Sequence, residues 1–195
     1  MSRAALGCRV KSGWATVVLV EGPARSPHVV DRRAIDLSDA AVPTSRQPYH
    51  AVMGARPGDA STVERKLRRI VERVSRRSLT GLLREYRGQG HRVKAVGLVV
   101  GSVIDPATIG NDHIRAHALE GQLFRRALEE AARASRLPCT TLVERTLYAS
   151  GAARLRRSPA ALKRTVTKLG TDLAGPWRAD EKAATLAAWL VLRAH

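Results

Sequence analysis

His113, His117 and Glu120 stand four and then three residues apart in "GNDHIRAHALEG", residues 110 to 121. On a helix that spacing stacks all three on one face. Imidazoles one turn apart can share a divalent ion. They can equally satisfy loop carbonyls or sit beside arginines such as Arg115, and structural hydrogen bonding is the simpler expectation. The same face continues as Phe124, Ala127, Leu128 and Ala131. It is therefore expected to be core along most of its length and cleft at its first turns. Three further carboxylates invite the same chemistry. Glu144 closes the run "TTLVE", and Asp180 and Glu181 open the last apolar helix. Carboxylate oxygens gathered at one place hold the divalent ions that drive phosphoryl transfer. Taken singly, Asp180 is explained by helix capping, and Glu144 by a pair with Arg145.

These side chains need elements to position them. Residues 5 to 20 read as strand, turn at Ser12-Gly13, and strand. Residues 28 to 37 read as a third strand, and 38 to 60, with several prolines and glycines, as a loop excursion. "STVE" at 61 to 64 has the form of a capping box. After it Val63, Leu67, Ile70 and Val74 keep helical spacing, and the helix extends towards Tyr86. "HRVKAVGLVVGS", 91 to 102, is the clearest buried strand. A helix from about 112 to 136 follows, stopped by Pro138. "CTTLVERTLY", 139 to 148, reads as a strand. "SPAALKRTVTKLG" reads as a short basic helix ending at Gly170, and "RADEKAATLAAWLVLRAH" as a C-terminal helix. The order β-β-β-α-β-α-β-α-α implies an α/β domain spanning 1–195. Its expected form is a mixed five-stranded sheet with helices on both faces, three layers in all. In such a sheet, ligands collect beyond the carboxyl ends of the parallel strands. Glu120, Glu144 and Asp180 are all expected there.

Composition narrows the class of partner. The 195 residues carry 34 Lys and Arg against 17 Asp and Glu, a formal charge of +17. That field favours polyanions, and nucleic acid, DNA or RNA, is the first partner to expect. Three Trp, three Tyr and one Phe leave little for base stacking, so phosphate and shape contacts are favoured. No apolar run approaches a membrane span of roughly 20 residues, and the first residues lack the apolar core of a secretory signal. Cys8 and Cys139 lie in apolar surroundings and read as buried thiols. A cytoplasmic location and no membrane association are expected.

Several segments, in order along the chain, resemble the ribonuclease H-like superfamily, and within it the RuvC-like and YqgF-like resolvase branch. "GCRVKSGWATVVL" is similar to that branch's G-x-D-x-G strand and its successor. "VGLVVG" resembles the V-G-L-P strand, and "GQLFRRALEEA" the F-A-x-x-L helix. "VERTLYASGAARL" is similar to the D-E-R-L segment, with Glu144 and Arg145 on the E-R pair. "ADEKAATLAAWLVL" resembles the V-D-x-x-A-A helix, with Asp180 on its acid. The resemblance implies nucleic-acid cleavage by carboxylates holding two Mg²⁺ or Mn²⁺ ions, with Glu144 and Asp180 as catalytic and metal-binding residues. It also implies a departure. The first-strand acid falls on Arg9, which cannot ligate Mg²⁺ and repels it at short range. A further acid of the last helix falls on Ala183.

Three readings follow. The favoured one is a nucleic-acid-binding protein without standard two-metal nuclease activity, with Arg9, Lys11, Arg145 and Arg178 on phosphates. The second is a metal-dependent endonuclease, a hydrolase whose site is relocated onto Glu120, Glu144 and Asp180, with Glu181 or His113 in support and His113 and His117 as further metal ligands. The third is an assembly protein that binds a protein partner or its own copy as a homodimer.

Overall fold

The computed structural model describes residues 2–171 and 173–194. Strand β1 (Ser2–Lys11) turns through Ser12-Gly13 into β2 (Trp14–Glu21), and β3 (His28–Asp36) follows. Gly13, at φ +88°, supplies the left-handed backbone this two-residue hairpin needs. Then come α1 (Pro57–Gly88), β4 (His91–Val100), α2 (Asp112–Ala134), β5 (Cys139–Val143), α3 (Glu144–Leu155), α4 (Pro159–Lys168) and α5 (Ala179–Ala194). The sheet order is β3-β2-β1-β4-β5. β2 runs antiparallel to its neighbours, and β1, β4 and β5 run parallel. This is the expected mixed sheet with a meander at one side and β4 beside β1.

Alternation along β1 divides the core in two. Leu6 and Cys8 face α1 and α2, where they meet Tyr86, Phe124 and Leu128. Ala5 faces α5 with Val18, Val20 and Ala95. Small residues keep the α5 layer thin. A Cβ on Gly7 would lie 1.8 Å from the carbonyl oxygen of Ala184, and one on Gly97 2.8 Å from that of Ala187. Ala183, Ala184, Ala187 and Ala188 present the small face that lets the helix backbone rest on the strands. Leu186, Trp189 and Leu190 fill the space towards α3 and α4, and each such burial contributes about 1.5–3 kcal/mol. No helix among the described residues is long and apolar enough to cross a membrane.

Three boundaries differ from the sequence reading. β5 stops at Val143, because its ladder to β4 ends at the Val100–Val143 pair, and residues 144 to 155 are helix rather than strand. Glu144 therefore opens a helix instead of closing a strand. α1 begins at Pro57, ahead of the supposed capping box. Ser61 Oγ, inside the helix, donates to the Gly58 carbonyl at 3.3 Å and caps nothing. The excursion at 38–60 holds two single 3₁₀ turns, 43–46 and 50–52, before α1 starts.

Both cysteines are free thiols, Cys8 fully buried. Burial pushes Cys139 up to about 12, helped by the Glu129 carboxylate, and raises Cys8 above that range. An unfolded thiol ionises near ~8.5. Stability should therefore fall as pH rises from ~8.5 towards 12, because only the unfolded chain releases these protons. At a pH of about 8 neither thiol should react with a disulfide reagent until denaturant unfolds the chain. Prompt labelling of two thiols in the native protein would contradict this packing.

Candidate functional site

The carboxyl ends of β1 and β4 border a cleft of about 250 Å³ whose walls include Arg9, Lys11, Ser12, His117 and Arg125. Two polar clusters stand beside it.

The first is built around Arg9. Its position on β1 puts it on the α5 face of the sheet, where only 5% of it is exposed. Glu144 is the first residue of α3, and Asp180 lies in the first turn of α5. Both helix starts favour a carboxylate there. Arg9 Nη2 bonds Glu144 Oε2, and its Nε lies 3.3 Å from Glu144 Oε1, a two-pronged pair. Arg9 Nε is 3.7 Å from Asp180 Oδ1, and Lys11 Nζ 3.2 Å from the same oxygen. Arg9 Nη1 donates to the Val10 carbonyl at 2.9 Å. Two cations thus face two carboxylates, and the cluster has no net charge with which to attract Mg²⁺. Glu144 pairs with Arg9 rather than with Arg145, which is exposed. Arg9 itself is sequestered. Its guanidinium is buried and engaged on each nitrogen, by Glu144 at Nε and Nη2 and by the Val10 carbonyl at Nη1.

Glu181 completes the N-terminus of α5. Its Oε2 accepts from the Arg178 backbone N–H at 2.9 Å, and its Oε1 lies 3.9 Å from Arg32. The Arg178 side chain is exposed.

The second cluster gathers on α2. Asn111 caps this helix, its side chain accepting from the Ile114 N–H at 3.0 Å. One and two turns on come His113, His117 and Glu120. Glu120 is fully buried, whereas His113 and His117 are exposed. The face is core and cleft in the expected sequence, and it has a partner that sequence reasoning missed. His50, in the second 3₁₀ turn, places Nδ1 2.8 Å from Glu120 Oε1. Its backbone N–H donates to the same oxygen at 3.3 Å. Tyr49, packed on the α1–α2 core, seats this turn. A histidine in "QPYHAV" carries no periodic signal, and only the path of the 38–60 loop brings it to α2.

The carboxylates proposed for a relocated nuclease are therefore divided. Arg9 and Lys11 occupy Glu144 and Asp180, and His50 occupies Glu120. Among the described residues, the one group of side chains able to hold a metal is His50, His113 and His117, whose ligand atoms lie within 4.8 Å of one another. Arg9, Glu144 and Asp180 meet in one ion-pair cluster. Glu120 points into the other cluster.

No family profile matches the chain, and no curated protein sequence does. Solved structures do. RuvC of Thermus thermophilus superposes with a TM-score of 0.53 at 12% identity, over 100% of this chain and 95% of that one. T. thermophilus RuvC in complex with a Holliday junction substrate gives the same TM-score and identity, over 100% and 94%. The fold is the ribonuclease H-like fold.

Proposed function

We propose that this chain is a nucleic-acid-binding protein of ribonuclease H-like fold whose acidic centre has become an ion-pair cluster and which does not cut its ligand by two-metal chemistry. The observation that carries this reading is the Arg9 guanidinium between Glu144 and Asp180. A two-metal centre needs anionic oxygens free to bind the ions. Here each oxygen donor is already neutralised by a cation.

The phosphate contacts are assigned to exposed cations beside this cluster. Arg145 and Arg178 are two of them, and Lys11, half-buried and paired with Asp180, lies on the rim of the cluster itself. Between Arg145 and Thr171 the sequence contains seven Lys and Arg (145, 154, 156, 157, 163, 164 and 168) and no acid. All seven are exposed on α3, α4 and their connection. Among the described residues none of them is in an ion pair, which leaves their charge to an external polyanion. The RuvC complex with its junction substrate supports the same side of the reading. Trp189 and Trp177 do not point to base stacking. Trp189 Nε1 donates to the Ala24 carbonyl at 2.7 Å and Trp177 Nε1 to that of Val166 at 3.0 Å, both as packing elements.

Electrophoretic or fluorescence titration with duplex and branched DNA and with RNA tests this. Several phosphate contacts should lower affinity by at least about tenfold between roughly 50 and 200 mM salt, as counterion release requires. Arg154→Ala with Arg164→Ala should weaken binding uniformly across sequences and flatten the salt slope by about two. Salt-independent affinity, or none at low salt, would favour the assembly role instead.

A further inference from the structure

We infer that His50, His113 and His117 form a binding site for a Zn²⁺-class divalent transition ion, with Glu120 as the carboxylate that orients the ligands. The inference is independent of the nucleic-acid reading, because it involves neither Arg9 nor its acids.

A fully buried carboxylate on an apolar helix face needs partners. Glu120 Oε1 accepts from the His50 backbone N–H at 3.3 Å and lies 2.8 Å from His50 Nδ1, while its Oε2 makes no hydrogen bond and stands 3.8 Å from His117 Nδ1, an ion-pair distance. A carboxylate on Nδ1 fixes the ring and turns Nε2 outward as the ligand atom, the usual outer-shell arrangement of metal-binding histidines. The Nε2 atoms then need an occupant. His50 Nε2 is buried and without a hydrogen-bond partner. His113 and His117 bring their Nε2 atoms to 3.3 Å from each other. A tetrahedral ion with Zn–N bonds of about 2.0–2.1 Å separates its nitrogens by about 3.3–3.4 Å. The His50 ring centroid is 4.8 and 4.3 Å from those of His113 and His117. Three neutral imidazoles select Zn²⁺, Co²⁺ or Ni²⁺ over the oxygen-seeking Mg²⁺ and Ca²⁺. The exposure of His113 and His117 leaves the fourth position to water. The ion would fasten the loop that carries His50 to the start of α2.

Chelator-treated protein should be titrated with ZnCl₂ by calorimetry, and with CoCl₂ by absorption. One equivalent should bind, and the Co²⁺ complex should show the intense visible bands of four-coordination. At roughly hundredfold excess over Kd, Zn²⁺ should raise the Tm by roughly 5–10 °C. MgCl₂ should not. His113→Ala and His117→Ala, both at exposed positions that leave the fold intact, should abolish the one-equivalent binding and the Tm shift. Glu120→Gln should weaken binding by roughly 10–100-fold, less than loss of a ligand. Absence of saturable binding, binding retained by His117→Ala, or a six-coordinate Co²⁺ spectrum would overturn the site.

Discussion

Gly7→Val leaves no stably folded protein. The new Cβ would start 1.8 Å from the Ala184 carbonyl oxygen and 2.8 Å from the Ala188 nitrogen. Both are backbone atoms, so no side-chain rotation relieves the overlap. α5 would have to retreat by more than about 1 Å to bring the first contact beyond 3.0 Å. Its close seat on β1, β2 and β4 would be lost with it. Overpacking of this kind, with the dispersion forfeited along the helix, costs at least about 3–5 kcal/mol. That is a large share of the roughly 5–15 kcal/mol available to a domain. Circular dichroism and urea unfolding should find the variant unfolded or molten. Gly81→Ala is the control: it sits inside α1 with nothing within 4 Å of its added Cβ. It should stabilise the protein by about 0.5–1 kcal/mol. A Gly7→Val protein with wild-type stability would mean that α5 does not lie on β1 as described.

Arg9→Asp turns a protein indifferent to Mg²⁺ into one that binds it. The substitution replaces a positive charge by a negative one. It sets a new carboxylate on β1 beside those of Glu144 and Asp180, with Lys11 alone opposing the three. Without metal the variant should lose about 2–4 kcal/mol, since removing one partner strands the other. The value is discounted because Glu144 is 44% exposed. Mg²⁺ or Mn²⁺ should restore stability to the variant and do nothing for the wild type, a contrast that thermal unfolding with and without metal reads directly. Cleavage need not accompany binding, because Ala183 still lacks a carboxylate. Metal-dependent cutting by the wild type that disappears in Glu144→Gln or Asp180→Asn would falsify the non-catalytic reading.

The strand order, the buried face of α2 and the gathering of Arg9, Glu144 and Asp180 were legible in the sequence. The first two rest on local periodicity combined with the rule that parallel strands share a carboxyl edge, and the place of Arg9 among the acids rests on the resemblance of its strand to the resolvase branch. What escaped depends on contacts between distant segments. The helical start at Glu144 is hidden because "VERTLY" suits strand and helix alike, and the end of the β4–β5 ladder decides between them. His50 is hidden for a stronger reason: nothing in the 38–60 loop announces which turn will reach Glu120, 70 residues away. The sequestration of Arg9 was also out of reach. Its type and position were readable, but whether a guanidinium faces solvent or two carboxylates depends on how deeply α5 settles onto the sheet.

That depth has a dynamic consequence. Asp180 sits one turn before Ala184, and Ala184 is pressed against Gly7, two residues before Arg9 on β1. The ion-pair cluster and the tightest contact of the core are therefore carried by the same two elements. No hinge lies between them: separating Asp180 from Arg9 by moving α5 means peeling the helix from the strand. Amide exchange at β1 and in the middle of α5 should proceed only through global opening, with the slowest rates in the chain. The cluster is then a rigid fixture on the timescale of ligand encounter, and whatever adaptation a bound strand demands falls to α3, α4 and the loops.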